Sequence, residues 1–395
     1  MIHYDFSDTL SKFRSDKIEK TYARIKEIKK EVFNDTFVKD FLNDYIINYN
    51  NRGNIKDIMS KVNEIQGQRA ALVVISDSTI IASLKSVIDP LTNNSTDIYY
   101  LGDSLSANSL FKVLDQIKDR DLYIYVITDS LLKPHIGAHF RILKQLLEKK
   151  YSNSELYKHI IIATANKKEI ISDEKLKDYF FIEFDKNIPI EYLCFTEVAY
   201  LPYYVAGVEV QKLFEGANKV LEDLEGGEFP EFEDYVTIRW LALQEGIEVE
   251  NVCTFEPNLS SLCDWRSRLK GNDMLYHGHA LYLRDLDNLK YYHDRYKNKI
   301  METFINVRIP TVDIVIRPDK ASSIELQKFD NISFNELNNI EFDKIVHQHR
   351  NEGMYINIID CRRLSAVNLG TLLLYFILAG IFVDEFIRRY NEIEK

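Results

Sequence analysis

Five short apolar segments recur through the first half of the chain, separated by longer stretches in which apolar residues have helical spacing. The short segments do not alternate apolar with polar positions, as strands with one solvent-exposed face do. Strands buried on both faces have this uninterrupted pattern, and they alternate with helices in doubly wound, mainly parallel sheets. The pattern therefore predicts an α/β fold whose first sheet contains residues 71–75, 97–102, 122–128, 159–164 and 179–184.

A second α/β unit follows Pro189, which interrupts the helical spacing and marks a crossover between domains. Its predicted strands are residues 249–255, 311–316 and 355–360. Before the last of them, Ser333 and Glu336 have the spacing of a capping box, and Gly353 stands where that helix should end. An irregular apolar stripe between residues 11 and 66 predicts a helical N-terminal segment. We therefore expect two α/β units in tandem behind this segment.

Charge and composition restrict the partners and the compartment. Lys and Arg total 50 against 61 Asp and Glu, and a net charge of −11 repels a phosphate backbone, so we expect no nucleic-acid partner. The cysteines lack the spacing of a zinc site or a disulfide framework, and residues 1–20 have no apolar signal core, which together indicate a cytoplasmic protein. Residues 369–383 are apolar but fall short of the ~20 residues that span a membrane. We interpret them as a buried core helix rather than an anchor, and expect no membrane partner.

The histidines provide no recognisable metal-binding pattern. They include three close pairs, His135 with His139, His277 with His279, and His347 with His349. No carboxylate or thiol at a characteristic spacing completes any of these sets. We therefore expect neither a metal ion nor a cofactor.

Hydroxyl-bearing residues follow the first three predicted strands. Ligands of open α/β sheets bind at the carboxyl ends of strands, and small residues at a helix N-terminus can bind an anion there. The alternative is that these residues only cap helices, and Asp77, Asp103 and Asp129 favour it because a carboxylate would take the anion's place. The candidate ligand-binding residues are Ser76, Ser78, Thr79, Gly102, Asp103, Ser104, Thr128, Ser130 and Lys133.

Several long stretches resemble glucose-6-phosphate isomerase of the Bacillus type. They are residues 1–10, 138–151, 201–223, 255–265, 333–343 and 368–380. The resemblance covers nearly the whole chain and implies two tandem sugar-isomerase (SIS) domains, at residues 67–188 and 189–395, with residues 1–66 packed on the second. It also implies a dimer and a sugar-phosphate ligand. The reaction of that family interconverts glucose 6-phosphate and fructose 6-phosphate through an enediol.

The glycine-rich and phosphate-binding motifs of that family are eroded in this chain. Its Gly-Ile-Gly-Gly-Ser loop corresponds to residues 76–80, where no glycine remains. Glycine is scarce throughout, with 14 in 395 residues, about half of the usual share of roughly 7%. The phosphate loop corresponds to residues 128–133, where Thr128 and Ser130 keep hydroxyl groups but Asp129 replaces a lysine. The resemblance therefore implies a lost phosphate anchor.

The catalytic positions implied by the resemblance carry the wrong groups. The family's arginine corresponds to Glu191, whose charge would repel an enediolate. The base glutamate corresponds to Asn272, or to Asp273 with a slip of one residue, and the catalytic histidine corresponds to Asp287. The family's C-terminal arm and its lysine lie beyond residue 395, so that arm is expected to be truncated. No catalytic residue is assigned, and Asp273 and His279 are the fallback candidates.

Three functions follow from these observations. The preferred hypothesis is a catalytically degenerate regulatory or structural subunit, as a homodimer or with another protein. The second is an active isomerase of a sugar phosphate, with Asp273 or Asp287 as base and His277, His279 or His293 opening the ring. The third is a sensor that binds a sugar or nucleotide sugar without chemistry. The first is preferred because losing an oxyanion donor costs roughly 10² to 10³ in rate and losing a base roughly 10² to 10⁴.

Overall fold

The computed structural model describes residues 2–51, 55–92, 97–170, 176, 178–227, 229–269, 276–319, 321 and 323–390. The chain divides into two compact units. The first-sheet unit is Thr36–Phe214, and the second-sheet unit combines Met1–Asp35 with Glu215–Lys395.

Ten strands are described: β1 (Ile2–Asp5), β2 (Ala71–Ser76), β3 (Ile98–Leu101), β4 (Leu122–Ile127), β5 (Ile160–Thr164), β6 (Phe180–Glu183), β7 (Val249–Thr254), β8 (Tyr276–Leu281), β9 (Ile300–Val307) and β10 (Tyr355–Cys361).

The α-helices that precede β6 are α1 (Ser7–Leu10), α2 (Ser15–Asn34), α3 (Thr36–Phe41), α4 (Ile55–Gly67), α5 (Ser78–Leu91), α6 (Ala107–Ile117), α7 (Pro134–Lys150), α8 (Asn153–Leu156) and α9 (Lys167–Ile170). Those that follow are α10 (Glu197–Val205), α11 (Val210–Gly226), α12 (Pro230–Gln244), α13 (Ser260–Arg268), α14 (Leu286–Tyr296), α15 (Ile324–Gln327), α16 (Phe334–Asn351) and α17 (Ala366–Tyr390). A π-helical segment, Leu42–Ile47, and the 3₁₀ helices Tyr49–Asn51, Tyr157–His159, Ile190–Phe195, Pro257–Leu259 and Lys297–Lys299 complete the described set.

The first sheet has the strand order β3-β2-β4-β5-β6, and all its strands are parallel. Every residue of β2, β4 and β5 is buried, which is why these segments lack alternation. All five strands predicted for this sheet are confirmed.

The second sheet has the order β1-β10-β9-β7-β8. Its last four strands are mutually parallel, and β1 joins the edge antiparallel to β10. The strand predicted at residues 311–316 is wrong, because that segment lies outside the sheet and keeps only a bridge from Val315 to Ser333. Pro310 and Pro318 flank it, and a proline cannot donate to a sheet ladder. Strands β1, β8 and β9 were not predicted.

The contacts divide the chain differently from the sequence-based boundaries. Residues 36–66 fall in the first-sheet unit, because α4 packs on α10, and only residues before 36 join the second-sheet unit. Helix α2 packs there on α12 and α17. Residues 189–214 also join the first-sheet unit, because the 3₁₀ helix Ile190–Phe195 packs on α5.

Two predicted helices have the expected ends and burial. Helix α16 begins where Ser333 Oγ accepts the Glu336 backbone N–H at 3.1 Å, and Gly353 follows it at φ +83°. Helix α17 is long and apolar enough to cross a membrane, judged by length and composition alone, and its most apolar window has a mean hydropathy of 2.2. Because 78% of that window is buried inside the protein, α17 fits the predicted core helix.

Candidate functional site

The end of strand β2 is tied to its two neighbours. The Ser76 hydroxyl is fully buried and donates to the Ile127 carbonyl at 2.8 Å, which links β2 to β4. Gly102, at φ +106°, passes so close to β2 that a Cβ would lie 2.3 Å from the Ser76 carbonyl oxygen. Ser76 and Gly102, both candidate ligand-binding residues, therefore come together, and both fix the backbone.

An ion-pair cluster occupies the N-terminus of α5. Asp77 precedes the helix, and its carboxylate accepts from Lys133 Nζ at 2.8 Å and lies 2.7 Å from His135 Nε2. Lys133 also pairs with Asp129 at 2.7 Å. Burial raises the pKa of Asp77, but the hydrogen bonds from Lys133 and His135 outweigh it and hold the pKa below its usual value. We call Asp77, Asp129, Lys133 and His135 the Asp77 cluster.

The hydroxyl groups of the candidate residues after β4 and β3 bond to the local backbone. Thr128 Oγ1 donates to the Ser130 carbonyl at 2.9 Å and accepts from its N–H at 3.1 Å. Ser130 Oγ accepts from the Leu132 N–H at 3.2 Å. Ser104 Oγ likewise accepts from the Ser106 N–H at 3.1 Å. These contacts are the local turns that short hydroxylated side chains commonly form.

The other sequence candidates lie in varied surroundings. Asp103 and Ser78 are exposed, and Thr79 is half-buried in the first turn of α5. Glu191 is buried, with 3% of its surface exposed, and Ser83 Oγ donates to its carbonyl at 3.4 Å. Glu191 is thus inside the first-sheet unit.

The remaining catalytic candidates belong to the second-sheet unit. Asp287 is exposed in the first turn of α14. His279 is exposed on β8, 3.8 Å from an Asp264 carboxylate oxygen. Asn272 and Asp273 lie outside the described residues.

A buried charge cluster, not expected from the sequence, surrounds Glu250 of β7. The Glu250 carboxylate is fully buried, 2.9 Å from an Arg266 nitrogen and 3.2 Å from Arg239 Nε. Burial raises the pKa of Glu250, but the two guanidinium groups outweigh it and hold the pKa at about 2. His277 Nδ1 accepts from Arg266 at 2.8 Å. Burial, reinforced by Arg266 and Arg239, lowers the pKa of His277 to about 3.

A second buried cluster joins three elements. Glu302 of β9 lies 2.7 Å from His349 Nδ1 of α16 and 3.1 Å from His293 Nε2 of α14. The Tyr282 hydroxyl donates to the same carboxylate at 2.6 Å. Burial raises the pKa of Glu302, but the contacts with the two imidazoles hold it at about 2. Glu302, His293 and His349 are each visible in the sequence, yet no spacing links them because they are on separate elements.

A cavity of about 400 Å³ opens at the carboxyl ends of β7 and β9. This is where ligands of open α/β sheets bind. Its lining includes Phe255 and Phe334 beside the carboxylates of Glu256, Asp313 and Glu341. None of its described lining residues is Lys, Arg or His. The cavity therefore suits an uncharged or cationic group better than a phosphate.

Two mainly parallel sheets with flanking helices define an α/β fold that solved structures of other proteins share. The chain superposes on the hypothetical protein TT0462 from Thermus thermophilus with a TM-score of 0.78 and 14% identity, covering 98% of this chain and 94% of that one. A glucose-6-phosphate isomerase from Chlamydia trachomatis superposes with a TM-score of 0.66 and 12% identity, covering 84% of this chain and 68% of that one. These two likenesses show the fold.

The sequence of this chain is similar to those of glucose-6-phosphate isomerases. A glucose-6-phosphate isomerase from Staphylococcus saprophyticus is 28% identical over 249 residues, which are 61% of this chain and 56% of that protein. The enzyme from Staphylococcus haemolyticus is 27% identical over 251 residues. The match therefore spans little more than half the length of these relatives. No family model matches the chain. The predicted resemblance to glucose-6-phosphate isomerase is confirmed.

Proposed function

We propose that this protein is a catalytically degenerate relative of glucose-6-phosphate isomerase that acts as a regulatory or structural subunit. The Asp77 cluster carries the proposal. Asp77 places a carboxylate at the N-terminus of α5, where a bound phosphate would otherwise benefit from the helix dipole. Lys133 and His135, the basic groups nearby, already contact that carboxylate. A sugar phosphate would have to displace an internal anion before it could bind.

The positions that would stabilise an enediolate support the same conclusion. Glu191 puts a buried carboxyl group where the family has an arginine. Asp287, which the resemblance aligns with the family's catalytic histidine, is exposed to solvent. Losing a general base costs roughly 10² to 10⁴ in rate, and losing an oxyanion donor costs roughly 10² to 10³. The two losses together leave little turnover, even though they do not simply add.

An exposed apolar surface beside the cavity supports the subunit role. Val312, Ile314, Val315 and Phe334 expose 66%, 62%, 56% and 61% of their surface, and Leu283 exposes 53%. Contiguous exposed apolar surface of this kind typically marks a protein-binding site. We propose that a second copy of the chain or another protein covers it, as the dimer of the resembled family suggests.

The isomerase assay tests the loss of catalysis. Purified full-length protein is given fructose 6-phosphate, and glucose 6-phosphate formation is coupled to a dehydrogenase, with the Staphylococcus saprophyticus enzyme as positive control. We expect a rate at least about 10⁴-fold below the control. Turnover close to the control would overturn the proposal. Turnover that disappears in Asp287→Asn would instead establish the active-isomerase alternative.

The cavity favours one alternative among the ligand-binding functions. Its aromatic rings, carboxylates and the amides of Asn335 and Asn338 suit an unphosphorylated sugar, because sugar hydroxyl groups donate to carboxylates and the C–H face of the sugar ring packs on aromatic side chains. A carbohydrate sensor would be stabilised by a neutral hexose and not by its 6-phosphate. Thermal unfolding with both ligands tests this, with Asp313→Asn and Glu341→Gln as cavity variants. No shift with either ligand excludes the sensor function.

A further inference from the structure

Two imidazoles and a carboxylate converge inside the second-sheet unit, away from the cavity. His293, Glu302 and His349 are 3%, 0% and 2% exposed, and their ligating atoms all lie within 4.8 Å of one another. The residues come from α14, β9 and α16, which are separate elements of one unit. Buried groups of this type are usually paired or bound to a metal ion.

The contacts within the trio are unequal. His349 Nδ1 lies 2.7 Å from Glu302 Oε2, which is a short hydrogen-bond distance. His293 Nε2 lies 3.1 Å from Glu302 Oε1, but it is not directed along a hydrogen bond to any acceptor in the described residues. A buried polar nitrogen in this state normally costs free energy. A metal ion between the nitrogen and the carboxylate would satisfy it.

The spacing of the trio is close to that of ligands around one ion. Zinc bound at about 2.0–2.1 Å to nitrogen and oxygen holds its tetrahedral ligands roughly 3.3 Å apart. The N–O separations of 2.7 and 3.1 Å are a few tenths of an ångström shorter, so small side-chain movements would admit the ion. Cys253 Sγ lies 3.8 Å from Glu302 Oε1 but does not lie within 4.8 Å of all three ligating atoms, so it stays outside the ligand set.

We infer that His293, Glu302 and His349 form a buried zinc site. Two imidazoles and a carboxylate match the preference of zinc. Any proton on a ligating nitrogen leaves to solvent when the ion binds. Tyr282, which donates to Glu302 at 2.6 Å, would orient the carboxylate from outside the ligand set. Because all three ligands are buried, the ion would hold β9, α14 and α16 together rather than act on a substrate.

Metal titration of the full-length protein tests the site. Protein stripped with a chelator and desalted is titrated with Zn²⁺ by calorimetry and with Co²⁺ by absorption spectroscopy. We expect one ion per chain in both titrations. At 100-fold excess over the dissociation constant, zinc should raise the unfolding temperature by roughly 5–10 °C. Absence of saturable binding would overturn the proposal and leave a metal-free hydrogen-bond network.

Matched variants locate the ion. His293→Ala should lose at least about 100-fold in zinc affinity, whereas His347→Ala, which removes an exposed histidine two residues from His349, should bind as before. Tryptophan fluorescence verifies that each variant is folded. Wild-type affinity in folded His293→Ala would refute the assigned ligands.

Discussion

Replacing Glu250 with glutamine tests whether its carboxylate holds the second-sheet unit together. The fully buried carboxylate lies 2.9 Å from Arg266 and 3.2 Å from Arg239, and each guanidinium is 1% exposed. Glutamine keeps an oxygen that can accept hydrogen bonds, but it neutralises neither guanidinium. Removing one partner of a buried ion pair costs about 3–5 kcal/mol, because the remaining charge stays out of water. We expect Glu250→Gln to destabilise the unit by that amount.

The loss corresponds to a large shift in the unfolding temperature. One kcal/mol shifts the midpoint by roughly 2–4 °C in a unit of about 200 residues, so Glu250→Gln should lower it by roughly 6–20 °C. The two tryptophans of the chain, Trp240 and Trp265, are both buried in the second-sheet unit. Their fluorescence during urea unfolding therefore reports on this unit separately from the first-sheet unit.

A matched control and a rescue make the result decisive. Glu248 is exposed and pairs with Lys299, so Glu248→Gln should cost less than about 1 kcal/mol. Adding Arg239→Met to Glu250→Gln should recover part of the loss, because it removes one of the two positive charges that Glu250 balances. Equal urea midpoints for Glu250→Gln and Glu248→Gln would refute the view that the carboxylate compensates the buried guanidiniums.

Three further predictions follow from the structure. The pKa of His277 is about 3 in the folded protein against an ordinary 6.5, so the unfolded chain binds more protons than the folded one between these pH values. Acidification through this range should therefore lower the free energy of unfolding by up to about 1.4 kcal/mol per pH unit. His277→Asn should flatten that slope in urea titrations, and an unchanged slope would count against the assignment. Gly102→Ala would place a Cβ 2.3 Å from the Ser76 carbonyl at φ +106°, so a loss of about 1–3 kcal/mol is expected by circular dichroism, whereas no loss would show that the turn relaxes. Ser333→Ala should cost about 0.5–2 kcal/mol because the Glu336 N–H loses its cap, and Ser333→Asp should restore it; equal stability of the two variants would contradict the cap.

The first sheet was predictable because its strands are buried on both faces and contain almost only apolar residues. Strand β9 was not, although it is equally buried, because Glu302, Thr303 and Asn306 interrupt its apolar run. Tertiary contacts satisfy these groups: Thr303 donates to Glu250, and Asn306 to Asp360. No local pattern reveals such partners. The apolar run at residues 311–316 shows the opposite case, since it is exposed between two prolines.

The candidate sites were predictable only in part. Asp77 could be recognised as a carboxylate in an anion's place, because it directly follows a predicted strand. Its partners Lys133 and His135 are 56 and 58 residues away, so their approach depends on the strand order. Glu302 and His349 are 47 residues apart and belong to a strand and a helix. Their meeting follows from packing, which residue spacing does not encode.

The pairing of β1 with β10 sets an order of assembly during synthesis. Thr9 Oγ1, just after β1, donates to the Ile356 carbonyl of β10 at 3.0 Å, across 347 residues of chain. At about 5–20 residues per second, a ribosome needs about 20–70 s to make that stretch. The first-sheet unit is contiguous in sequence and can close within this interval, while β1 still lacks its partner. A newly made β1 is therefore open to capture by β10 of another copy, and nascent chains are where strand exchange between molecules would begin.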